Sequence, residues 1–110
     1  MKVELLYIAD CPNIEAARRP LKEALRELGL PEEISEIEVR DSAHAQALAF
    51  PGSPTIRVDG KDVEATFLGQ GGYGVSCRMY VVDGTRQGVP SQEIIRKAIR
   101  SAVALADREK

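Results

Sequence analysis

Gly52-Ser53-Pro54-Thr55-Ile56-Arg57-Val58-Asp59-Gly60-Lys61 packs three structural instructions into a short length of chain. With Phe50 and Pro51 before it, Gly52-Ser53-Pro54 forbids regular structure, because proline lacks an N–H and glycine favours turns. Thr55 to Val58 is β-branched and apolar enough to read as a strand. Asp59-Gly60 then predicts a two-residue hairpin turn leading into Lys61-Asp62-Val63.

Upstream, Val3 to Ile8 is a short apolar run that reads as a strand buried on both faces. It ends at Ala9-Asp10-Cys11-Pro12, and Pro12 suits the first turn of a helix. Ile14, Ala17, Leu21, Ala24, Leu25 and Leu28 recur at helical spacing up to Gly29, and the period runs through Pro20, which should kink that helix without ending it. Ile34 to Arg40 alternates, with Glu36 and Glu38 on the side opposite Ile37 and Val39, and reads as a second strand. Asp41-Ser42 is an N-cap signal for a short helix, Ala43 to Ala49.

Downstream, the glycines from Gly69 to Gly74 predict a loop or bulge, Cys77 to Val82 is strand-like, and Asp83-Gly84 closes that strand. Ser91 caps a last helix whose stripe of Ile94, Ile95, Ala98, Ile99, Ala102, Val103 and Ala106 should dock on a sheet. Gly69-Gln70-Gly71-Gly72-Tyr73-Gly74 matches the spacing of a dinucleotide loop. Such a loop must open a helix, and a strand follows here, so nucleotide binding is rejected. The order is β-α-β-α-β-β, then a Gly-rich insertion with an extra strand, then a helix: one α/β domain spanning residues 1–110.

Composition agrees with a single small globular domain. Of 110 residues 44% are hydrophobic and 29% charged, which excludes a disordered or fibrous chain. A net charge of −2 offers no footprint for nucleic acid or anionic membrane. No apolar run near the start is long enough for a signal or a span, so the expected location is the cytoplasm. Two cysteines and one histidine are too few for a disulfide scaffold or a structural zinc site. His44 reads as solvated, and with no evident partner it builds no catalytic triad.

The strand order, Leu6-Tyr7-Ile8-Ala9-Asp10-Cys11-Pro12 at the first strand-to-helix junction, and Ser53-Pro54-Thr55 opening the third strand together resemble the thioredoxin-like superfamily. The overall pattern also resembles small bacterial thioredoxin-like proteins sometimes labelled alkylmercury lyases. The resemblance implies a central mixed β-sheet flanked by helices and thiol chemistry at Cys11. It further implies a cis Ser53–Pro54 bond, with Ser53, Pro54 and Thr55 shaping a groove for an extended peptide or thiol ligand. Redox-active relatives usually carry Cys-x-x-Cys, and here the fourth position is Ile14. A dithiol cycle within that motif is therefore impossible. What remains is a lone thiol beside a helix start, a setting that favours the thiolate, with Asp10 opposing it.

A second thiol can come only from Cys77. The chain returning from Asp59-Gly60 heads toward the sheet end that carries Thr55 and Cys11, and the insertion leaves from that end. Cys77 is thus expected near Cys11, as a resolving thiol or as a second ligand for a soft cation, with Arg78 close enough to favour a thiolate or bind substrate. Against this stands Cys77 as a packed strand residue. Arg18 and Arg19 are further candidates to steady an anion. The expected partners are a small thiol, a disulfide-containing protein or a thiophilic metal species, with no cofactor and no resident metal. Organomercurial cleavage, with Asp10 or Asp62 as acid, and a non-catalytic module binding through an exposed groove beside Pro54 or the Ser91 helix, remain the alternatives.

Overall fold

In the computed structural model the described residues are 1–64, 74, 75, 78 and 80–108. Strands β1 (Val3–Tyr7), β2 (Ser35–Glu38), β3 (Thr55–Val58) and β4 (Lys61–Asp62) form a mixed sheet in the order β2-β1-β3-β4. β1 runs parallel to β2 and antiparallel to β3, and β3 pairs antiparallel with β4. Helices α1 (Ile14–Glu27), α2 (Ser42–Leu48) and α3 (Gln92–Arg108) flank the sheet, and β5 (Tyr80–Val82) with β6 (Thr85–Gln87) forms a separate hairpin just before α3.

The period of two along the strands sorts the side chains onto two faces. Val3 lies opposite Val58 and Leu5 opposite Ile56, and these four with Val63 pack against Ala17, Leu21, Ala24 and Leu25 of α1 and Ile95 and Ile99 of α3. Removing each such leucine or isoleucine from water contributes about 1.5–3 kcal/mol. On the other face Leu6 joins Val39, Ala45 and Phe50 beneath α2.

Local chemistry ends the elements where it should. Gly29 at φ 69° follows α1, and Gly29 and Leu30 donate back to the Arg26 and Leu25 carbonyls, a Schellman closure. The α1 helix continues through Pro20; the carbonyl that loses its donor belongs to exposed Ala16, where water can replace it. Asp41 caps α2 by accepting from the His44 N–H at 2.8 Å. Ala49 exits α2 at φ 51°, turning Phe50 into the core. Both Asp-Gly pairs have positive φ at each residue, the type I′ geometry that suits hairpins.

Three readings need correction. Pro12 lies outside the first turn of α1, because Asn13 is the N-cap and the helix starts at Ile14. Of the strand read from Cys77 to Val82, Tyr80–Val82 is strand and Arg78 lies outside it, and Asp83-Gly84 turns the chain into β6, which the sequence does not announce. The pattern of short β-rich residues after Gly84 was too brief to stand out from loop. Residues 69–73 of the Gly-rich stretch, and Cys77, lie outside the described residues.

Candidate functional site

The site is assembled where β1 and the chain entering β3 meet. Past the end of β1, the Ile8 N–H donates to Ser53 Oγ at 3.1 Å, and the Ile8 carbonyl accepts from the Cys11 N–H at 3.1 Å. Ile8 thus links the Cys11 turn to the Ser53–Pro54 loop. The Ser53–Pro54 peptide is cis, as the resemblance implied. Cys11 is 7% exposed and stands two residues ahead of the α1 N-cap. Asn13 packs over the connection into α3: a β-carbon at Gly88 would overlap its amide.

The loop from Phe50 to Pro54 is held from above by residues of the insertion. The Gly74 N–H donates to the Phe50 carbonyl at 3.3 Å and the Arg78 N–H to the Ser53 carbonyl at 2.9 Å. Tyr80 Oη donates to the Pro54 carbonyl at 2.6 Å. Gly52, at φ 145°, admits this approach: a β-carbon there would fall 2.9 Å from Arg78 Cβ. Inside the loop, Thr55 Oγ1 donates to the Gly52 carbonyl at 2.6 Å.

Arg78 is the centre of the polar cluster. Its side chain is fully buried, and its guanidinium grips Asp62 through two hydrogen bonds of 2.6 and 3.1 Å. It also donates to Thr55 Oγ1 at 3.1 Å and lies 4.4 Å from the Tyr80 ring centroid. This placement follows from β-sheet register. Thr55 and Arg57 share one face of β3, Asp62 pairs with Arg57 across the hairpin, and so Asp62 reaches over the same face. Burial pushes the Tyr80 phenol far above its ordinary range, an effect that the Arg78 charge only partly offsets.

Of the residues singled out from sequence, Cys11, Ser53, Pro54, Thr55 and Arg78 are all described and all buried. Ser53 and Cys11 are joined through Ile8, and Ser53, Pro54 and Thr55 gather around Arg78 and its neighbour Tyr80. Pro54, expected to border an exposed groove, is itself under 2% exposed; among the described residues Arg78 and Tyr80 lie against its loop. Arg78 is committed to Asp62. Arg18 is also committed elsewhere, to Glu36 on β2 and to Glu15; the Arg18 hydrogen bond holds the Glu36 carboxyl below its usual range. Sequence reasoning missed Tyr80 and the anchoring role of Asp62. The hairpin register pointed to Asp62, whereas nothing in the insertion's composition announced where it would land.

Among the described residues, no group of three or more metal-ligating side chains converges, and no helix is long and apolar enough to cross a membrane. A cleft of about 360 Å³ opens between β4 and α3, lined by Val63, Ile94, Ala98, Ala102 and Leu105 with charged residues of both signs. Among the described residues its lining includes no cysteine or histidine.

No curated protein and no solved structure matches the chain. A family model described as a domain of unknown function, DUF2703, matches residues 10–99, from just before Cys11 into α3, and the chain belongs to that family.

Proposed function

We propose that this chain is a thioredoxin-like, thiol-dependent protein that exchanges disulfides through Cys11, with Cys77 as its second thiol. The Cys11 thiolate attacks one sulfur of a disulfide, forming a mixed disulfide and releasing one thiolate. The Cys77 thiolate then attacks the Cys11 sulfur, releasing the other thiolate and leaving a Cys11–Cys77 disulfide. Two equivalents of a small thiol return both cysteines to the reduced state, so electrons flow from that thiol to the substrate. A reducing cytoplasm is the compartment in which such free thiols persist.

The observation that carries this reading is the relay through Ile8. Cys11 is hydrogen-bonded to Ile8, Ile8 to Ser53, and Ser53 to Arg78, the residue that directly follows Cys77. The sheet order and the Ser53–Pro54 loop beside the Cys11 turn support the same reading. Organomercurial cleavage has less support, because both Asp62 oxygens accept from Arg78. Asp62 is an anchor there and not a poised acid. The binding-module reading draws its support from Ile14, which stands where Cys-x-x-Cys relatives carry their second cysteine.

Reduction of bis(2-hydroxyethyl) disulfide by a small dithiol tests the proposal. Turnover should disappear in Cys11→Ser, and Cys77→Ser should accumulate the mixed disulfide on Cys11, seen as added mass. Equal turnover with and without Cys11 would sink the thiol mechanism, and no turnover in the unaltered protein would leave the binding module.

A further inference from the structure

We infer that this site, granted the thiol chemistry above, takes low-molecular-weight disulfides and thiols and excludes extended polypeptide. A polypeptide substrate lying beside the Ser53–Pro54 loop would add itself as a strand, and strand addition needs unoccupied carbonyl and N–H groups on the receiving chain. Four of the loop's carbonyls are already taken. The Phe50, Ser53 and Pro54 carbonyls accept from Gly74, Arg78 and Tyr80 of the same chain, and the Gly52 carbonyl accepts from Thr55. Pro51 and Pro54 have no N–H to offer, and the Ile8 N–H is held by Ser53 Oγ.

Nor can a peptide displace the occupant one bond at a time. The Arg78 N–H that fills the Ser53 carbonyl belongs to the residue whose guanidinium is clamped by Asp62 and Thr55, and Arg78 Cβ fits against the bare α-carbon of Gly52. Lifting the backbone of Arg78 therefore means breaking a part-buried ion pair as well. A small disulfide makes no such demand. It needs no strand pairing and only a line of approach to the Cys11 sulfur.

The test uses the full chain carrying Cys77→Ser, so that Cys11 is the one thiol. Two probes share the same leaving group, thionitrobenzoate: its mixed disulfide with 2-mercaptoethanol, and its mixed disulfide with the central cysteine of an extended peptide. The rate of release is measured for each, folded and in urea. The folded protein should favour the small probe over the peptide by on the order of tenfold more than the unfolded chain does. Adding Asp62→Ala, with folding checked by circular dichroism, should shrink that preference by freeing Arg78. A folded preference equal to the unfolded one, no reaction of folded Cys11 with either probe, or a preference unmoved by Asp62→Ala in a folded variant would each overturn the inference. Because exchange here is a single event, it is scored separately from turnover. A chain lacking a catalytic cycle can still pass this test, and a working reductase that accepts both probes equally fails it.

Discussion

The two faces of the sheet are stabilised by different physics. Under α1 and α3, Val3, Leu5, Ile56 and Val58 pack against the aliphatic side chains of both helices, and the contact is worth the area it removes from water. Across the sheet, the apolar patch around Leu6 and Phe50 gives way to Thr55, Asp62, Arg78 and Tyr80, whose contacts are directional. Apolar packing tolerates exchange of one aliphatic residue for another of similar volume. A buried polar network does not, since losing one member strands the rest in a low-dielectric interior. The fold therefore rests on one face, and the geometry of the candidate site rests on the other.

The two faces should respond differently to substitution. Leu21→Ala, on the apolar face, should cost about 3 kcal/mol in urea unfolding, the sum of lost burial and a residual cavity. Asp62→Ala should cost about 2 kcal/mol, less than a fully buried pair because Asp62 is 23% exposed. A second change, Arg78→Met, should recover part of that loss, since it removes the stranded charge. If Asp62→Ala alone were neutral, the polar face would be ornament and the contrast would fail.

Tyr80→Phe should cost about 1 kcal/mol, the hydrogen bond to the Pro54 carbonyl. It should also change the alkaline limb of stability. The folded phenol titrates above the unfolded one, so its contribution is intact below the unfolded value of about 10 and is lost as pH rises beyond it. Stability followed against pH should thus fall more steeply above about pH 10 in the unaltered protein than in Tyr80→Phe. Least of all, Glu36→Gln at the β2 edge should cost a few tenths of a kcal/mol, as an exposed ion pair does. Because the folded Glu36 carboxyl titrates below its usual range, that small contribution is present above the unfolded value and disappears as pH falls below about 4.

The apolar face was legible in the sequence because its signals are periodic and local. The α1 and α3 stripes, the Ser91 cap, which the Ile94 N–H confirms at 3.1 Å, and the Asp59-Gly60 turn all follow from neighbours a few residues apart. Cys11 and the Ser53-Pro54-Thr55 run stood out for the same reason. The polar face was legible only in pieces. Thr55 and Asp62 fall on one face by hairpin register, but Arg78 reaches them across a separation of 16 residues or more. No pattern in the insertion fixes that path. An arginine beside a cysteine suggested an activator of thiolate, whereas its partner across the hairpin makes it an anchor.

Among the described residues the margins of the four-stranded sheet are β4 and β2, and their chemistry bears on the chain in concentrated solution. β4 is only two residues long and presents Lys61 and Asp62. β2, at the opposite margin, carries Glu36 and Glu38, both exposed. Short length at one side and acidic charge at the other make each a poor template for the strand of another molecule. A second copy approaching β2 edge to edge would align carboxylates with carboxylates. The four-stranded sheet thus resists growing by edge-to-edge stacking, and crowding alone gives it little tendency to seed fibres.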